Sequence, residues 1–154
     1  MNNKERMLQI LKDTTDYYDA DPANRRSVDK DGNCKYTWGD THCAIGRYLK
    51  EEYQRENWIE NDVSVNQLSQ IADTDRLHPL SDAKWGIDWC LRDNMQGLDL
   101  QFWIDLQDMH DIVGYWEEYD EHEDGRRKYG LTDRGKEKYV AMQDKIARGE
   151  VYDD

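Results

Sequence analysis

Apolar residues recur along this chain at helical spacing in several separate stretches. Met7, Leu11, Thr14 and Tyr18, with Leu8 beside them, are three or four residues apart, which predicts an amphipathic helix over Lys4 to Tyr18. Asp19 to Pro22 closes it, because a proline disfavours helical geometry in the residue before it. Ala23 to Asn33 is polar and turn-rich, and Arg25 and Arg26 fall in this loop. Cys34, Tyr36 and Trp38 then alternate with Lys35 and Thr37, the two-residue period of a short strand or hairpin. After Gly39 the code changes: Asp40 or Thr41 is placed to cap a helix from about His42 to Tyr53, with Ile45, Leu49 and Tyr53 as its buried stripe.

Further along, Val65, Leu68, Ile71 and Ala72 predict a short helix after Ser64, and Ser81 or Asp82 opens another that turns Trp85, Trp89 and Leu91 inward. Leu100 to Tyr115 carries Phe102, Leu106, Met109 and Val113 at helical spacing, with Trp103 and His110 on the adjoining face. The acidic run that follows reads as a solvated link. A last helix, capped by Thr132 or Asp133, points Tyr139, Met142 and Ile146 to the core and stops at Gly149. The fold class is therefore mainly α: one α-rich domain over residues 1–149, five to six helices with a short strand or hairpin near 34–38, and an acidic tail over 150–154.

Composition sharpens this picture. With 154 residues the chain has one domain's length and can bury roughly 70% of its unfolded surface. Its apolar content is 37%, equalled by 36% charged residues, so six Trp and ten Tyr must supply much of the core volume. The net charge of -13 repels nucleic acid and anionic lipid and favours a basic partner, such as the basic surface of a host protein. The charge is unevenly placed. Asp105, Asp108, Asp111, Glu117, Glu118, Asp120, Glu121, Glu123 and Asp124 follow one another with no Lys or Arg, and the stretch after Gly125 is basic. That sign change lets one segment fold against the other, or leaves an acidic face for binding. No apolar run is long enough for a membrane span or a signal peptide, and three cysteines without CxxC spacing fit a reducing, cytoplasmic setting.

Several elements in order, Cys34-Lys35-Tyr36, Cys43 to Leu49 (CAIGRYL), Leu106 to Asp111 (LQDMHD), Trp116 and Gly130 to Gly135 (GLTDRG), resemble a family of short proteins of bacteria and tailed phages. Tyr17-Tyr18, Pro22 and Arg25-Arg26 extend the likeness upstream. The resemblance implies a phage or mobile-element setting and brings no catalytic residue and no cofactor with it.

Candidate chemistry centres on Cys43 and His110. A thiol in the first turn of the expected helix has its thiolate favoured by the dipole, and His110 with Asp111 is the base that a Cys/His enzyme or ligand-binding pocket needs, walled by Tyr36, Trp38 and Trp103. Successive helical residues diverge by about 100 degrees, which places Asp111 poorly for orienting His110. Cys34, Cys43 and His110, with His42 or Asp111 as a fourth ligand, would suit tetrahedral zinc, although the spacing is not that of a structural zinc site. A Cys34–Cys43 disulfide is conceivable across a hairpin-like turn. Leu131-Thr132 with Gly135 has the look of a winged-helix passage, but a capping threonine explains it more simply. The leading expectation is an acidic binding protein of phage or mobile-element origin, an inhibitor or counter-defence factor with a nucleic-acid-like charge surface.

Overall fold

Asn2 starts the first helix: its side-chain oxygen accepts the Glu5 N–H at 2.9 Å, and α1 runs over Asn3–Ala20. Met7, Ile10, Leu11, Thr14, Thr15 and Tyr18 form the buried face, and Leu8 lies at its exposed edge. The structure, a computed structural model, describes residues 1–31, 33–56, 64–69, 87–119, 127–149 and 152. Pro22 ends α1 as expected and also opens a one-turn helix, α2 (Pro22–Arg25), whose fixed φ suits the first helical position. Arg25 therefore sits on a helix and not in an open loop.

The expected hairpin is present in its shortest form. β1 (Thr37–Trp38) pairs antiparallel with β2 (Thr41–His42), joined through Gly39 and Asp40, and Gly39 takes φ 59. Cys34 lies outside it, in an isolated antiparallel bridge with Val28.

The helix expected over His42 to Tyr53 does not form. The backbone there finds partners in other segments: Cys43 N–H donates to the Tyr36 carbonyl at 3.1 Å, Lys50 N–H to that of Cys90 at 2.9 Å, and Arg92 N–H to that of Tyr48 at 3.0 Å. Leu49 bridges Leu91. Only two 3-10 turns remain, Gly46–Tyr48 and Glu51–Tyr53, around a fully buried Ile45 and Leu49. Gly46 explains part of the choice, since it packs directly on the Tyr36 carbonyl where a side chain would collide, and glycine weakens any helix built through it.

α3 (Val65–Leu68) begins with the reciprocal Ser64/Gln67 capping box. Ile71, Ala72, Ser81, Asp82 and Trp85 lie outside the described residues; Trp89 belongs to a 3-10 turn, Asp88–Cys90. α4 (Leu100–Asp111), capped by Asp99, ends earlier than the apolar spacing implied, and Val113–Tyr115 is a 3-10 turn. α5 (Asp133–Arg148) matches its expected limits: Thr132 caps it, and Gly149 leaves it in the left-handed conformation.

The acidic run is more than a solvated link. Glu117–Tyr119 is a strand, β3, paired antiparallel with β4 (Arg127–Tyr129), so Glu118 faces Lys128 across the ladder. The acidic and basic stretches thus fold on each other, at least over these residues. Residues 120–124 lie outside the described part of the chain.

The class is mainly α, with α1 packed on α5 and α4 and with α3 against α4. Among the described residues there are three helices of twelve or more residues and two of four, fewer full helices than the spacing implied. Trp103, Trp116, Tyr18 and Phe102 are fully buried, which is how a chain lean in aliphatic residues fills its interior. Edge-on contacts join Tyr18 to Trp116 (5.8 Å) and Phe102 to Trp103 (5.3 Å). Tyr152 is buried against Phe102, and its hydroxyl donates to Asp105 at 2.5 Å. No helix among the described residues is long and apolar enough to cross a membrane.

Candidate functional site

Of the residues singled out for chemistry, Cys34, His110 and Asp111 meet at the C-terminal end of α4, under a strap to which Arg26 to Asp31 and Asn33-Cys34 contribute. A helix end leaves carbonyl oxygens without helical partners. Arg26 takes two of them, donating from Nε to His110 O at 2.8 Å and from Nη2 to Asp111 O at 3.2 Å. The guanidinium also complements the negative end of the helix dipole. The Cys34 thiol donates to the Asp111 carbonyl at 3.8 Å. The strap is itself braced: the Asp29 carboxylate accepts the Asp31 and Asn33 amides, both at 2.9 Å, and Lys35 N–H returns to Ser27 O.

His110 is wholly buried, and both its ring nitrogens are engaged. The Ser27 backbone N–H donates to Nε2 at 3.0 Å, so Nε2 carries the lone pair and the ring proton lies on Nδ1, which donates to Asp111 Oδ1 at 2.8 Å. The expectation that Asp111 is poorly placed to orient its neighbour is thereby corrected. Asp111 is the last residue of α4, and its carboxylate turns back along the helix, where the Gln107 amide also donates to it at 2.7 Å. The Tyr18 ring stands edge-on to the imidazole with centroids 5.0 Å apart. Burial lowers the proton affinity of His110, against the pull of Asp111.

Cys43 does not join this group as a nucleophile. It lies outside any α-helix, 1% exposed, and burial pushes its thiol upward. Its sulfur accepts the Gly46 N–H at 3.2 Å and interacts with the Gln107 amide; His110 is not among its partners. Cys34, half-buried, has its thiol pushed up to about 12, first by burial and then by the Asp111 charge. All three cysteines are free thiols, so Cys34 and Cys43 form no disulfide. Nor do the aromatic residues gather into one pocket: Trp103 is buried in the core, while Trp38 is 39% exposed at the hairpin tip. Tyr36 packs against the core, its hydroxyl raised mainly by burial.

The metal candidates require a change of membership. Cys34, His110 and Asp111, not Cys43, bring their ligand atoms within 4.8 Å of one another. The hydrogen bonding tests whether a cation fits. A metal on Nδ1 would move the ring proton to Nε2, and ligating histidines direct that second N–H at an acceptor. Here Nε2 faces the Ser27 N–H, a donor. The three residues fit a closed hydrogen-bonded cap better than a coordination site.

The acidic residues expected to bind divide into several groups. Asp105 is 5% exposed and satisfied by Tyr152 and Lys145 (3.4 Å), so it belongs to the interior. Asp111 is spent on His110 and Gln107. Asp108 and Glu118 are exposed, and Glu117 is half-buried. Asp120, Glu121, Glu123 and Asp124 fall outside the described residues.

Ser27, Arg26 and Gln107 are the participants that the sequence did not disclose. Gln107 had a signal, standing four residues before Asp111 on the same face of α4, whereas the Ser27 contribution is a main-chain N–H that residue type cannot reveal. No family model, curated protein or solved structure matches this chain.

Proposed function

We propose that this protein is an acidic binding protein that occupies a basic surface of another protein, with a charge pattern resembling that of nucleic acid. The observation that carries the reading is where the arginines go. Arg6, Arg25, Arg26 and Arg92 donate to main-chain carbonyls, and Arg47 and Arg134 lie over tyrosine rings. None of these six arginines makes an ion pair with a carboxylate of the described residues. These arginines are thus engaged by main-chain carbonyls and tyrosine rings, not by the acidic side chains, and Asp40, Glu51, Glu52, Asp93, Asp108 and Glu118 stay exposed. A net charge of -13 distributed in this way gives a long-range field that speeds encounter with a cationic partner and rejects anionic ones. The likeness to short phage and bacterial proteins makes a host protein the natural target, with inhibition or counter-defence as the outcome. The buried Cys43, the half-buried Cys34 with its thiol pushed up to about 12, and the doubly bonded His110 weigh against the alternative of a Cys/His pocket.

The test is affinity capture from a bacterial lysate at low and high salt, followed by binding measurements on the purified partner. A basic partner whose affinity falls steeply with salt, and falls further for Asp108→Asn/Glu118→Gln, supports the reading. A partner bound equally at both salt concentrations, or indifferent to those substitutions and to neutralisation of Glu117, Glu121 and Glu123, overturns it.

A further inference from the structure

We propose that Arg47, together with Arg25 and Tyr17, forms a binding site for the phosphate group of a small molecule. Arg47 follows Gly46 in the 3-10 turn Gly46–Tyr48, which presses its guanidinium onto α1. Its central carbon lies 3.9 Å from the centroid of the Tyr17 ring and 5.5 Å from that of Tyr48. Arg25, from α2, lies 4.5 Å from the same Tyr17 centroid. One tyrosine ring is thus contacted by two guanidinium groups, whose combined positive charge favours an anion nearby.

Arg47 differs from Arg6, Arg25, Arg26 and Arg92 in its hydrogen bonding. Arg25 gives Nη1 to the Tyr17 carbonyl at 2.9 Å, Arg6 reaches three acceptors, and Arg26 and Arg92 reach two each. Arg47 has no acceptor for any of its donors among the described residues, and its Nη1 is buried in that state. Stacking on a tyrosine compensates part of the lost hydration but supplies no lone pair. The tyrosine hydroxyl of position 48 bonds the Thr14 hydroxyl at 3.3 Å, adding a neutral polar edge.

The charges facing this place also fit an anion. His42 is held below its usual proton affinity by burial and by the fields of Arg47 and Arg92, with Asp40 opposing. The carboxylates one turn away on either side of Tyr17 have other partners: Gln9 donates to Asp13 at 2.7 Å, and Asn24 to both oxygens of Asp21 at 3.2 and 3.0 Å. A planar guanidinium meets phosphate oxygens with paired, charge-assisted bonds, for which lysine is no equal substitute. The acidic surroundings set the size of the ligand. An extended polyanion such as nucleic acid would be repelled by the remaining surface, whereas one compact phosphate sees mainly the two arginines.

The test is a titration of the full chain, at constant ionic strength, with inorganic phosphate, glycerol phosphate and, as controls, chloride and acetate. Binding is followed through the Arg47 side-chain Nε–H resonance in nitrogen-15 NMR spectra. Saturable shifts with either phosphate but not with chloride are expected. Tighter binding of the ester than of the free ion identifies an organic phosphate as the source, and the reverse identifies phosphate itself. Arg47→Met is expected to weaken binding about tenfold or more, and Arg25→Met by a smaller factor, about threefold, as the loss of charge-assisted bonds implies. Arg47→Lys should recover only part of the affinity. If Arg47→Met does not fold, the wild-type resonances and Arg25→Met decide the matter. Absence of a saturable wild-type response, or undiminished affinity in the methionine variants, overturns the proposal.

Discussion

The backbone N–H of Ser27 donates to Nε2 of His110 across 83 positions of sequence, and this bond fixes the imidazole in its neutral form. Protonating the ring would place a second N–H against the first. Asp111 favours the charged ring and Arg26 opposes it, but burial is the largest influence, so the folded chain binds this proton more weakly than the unfolded chain does. The stability this contributes is complete above the ordinary histidine value of 6.5 and is lost as pH falls from there towards the depressed folded value. Urea midpoints should drop between about pH 7.5 and 5.5. His110→Gln should flatten that drop, leaving the part due to His42, which is depressed in the same direction. Parallel slopes for wild type and variant would contradict the assignment.

Thiol chemistry should be slow in the native protein. Cys43 and Cys90 are buried, and Cys34 is held as a thiol up to about 12, so a disulfide reagent at pH 8 should label the folded chain far more slowly than the urea-unfolded one. Rapid modification of Cys43 without denaturant would restore it as a reactive centre.

Gly46 and Gly39 should respond differently to substitution. A Cβ at Gly46 would run into the Tyr36 carbonyl, so Gly46→Ala should destabilise by about 1–3 kcal/mol or more through forced backbone movement. Gly39 has open space but a left-handed backbone, and Gly39→Ala should cost only about 1 kcal/mol, with Gly39→Asn milder still. Chemical denaturation of the three variants measures the order.

Asp105 and the pair Asp108/Glu118 separate internal from external charge. Asp105→Asn loses a carboxylate that receives Tyr152 and Lys145, and should lower stability by about 1–3 kcal/mol while leaving the salt dependence of partner binding unchanged. Asp108→Asn/Glu118→Gln should do the opposite, reducing the salt dependence with little change in unfolding.

Thr132→Ala removes the hydroxyl that accepts Gly135 N–H at 3.2 Å and donates to Gly114 O at 2.6 Å. A loss of about 1 kcal/mol is expected for the cap, with more if the Gly114 carbonyl is left without a donor, read as a shift in the denaturation midpoint.

The elements written in local code were legible from residue order. α1 and α5 emerged at their expected places because each has an amphipathic stripe, a capping side chain and a terminator, and these act over one or two turns of chain. The Gly39 turn, the Ser64 cap and the use of tryptophan and tyrosine as core volume follow from residue type in the same way. The stretch from Cys43 to Leu49 has helical spacing yet no helix, because its amides and carbonyls are claimed by Tyr36, Cys90 and Arg92, which only folding brings beside it. The same holds for the site. That His110 and Asp111 matter could be read from a buried histidine beside a carboxylate, but their roles depend on a main-chain N–H from Ser27 and a guanidinium from Arg26. Sequence thus determined which short segments can hold regular structure and how much negative charge the molecule must carry outward. Tertiary structure decided which donors face which acceptors, since hydrogen-bond partnership depends on angstrom-scale approach between segments far apart in the chain.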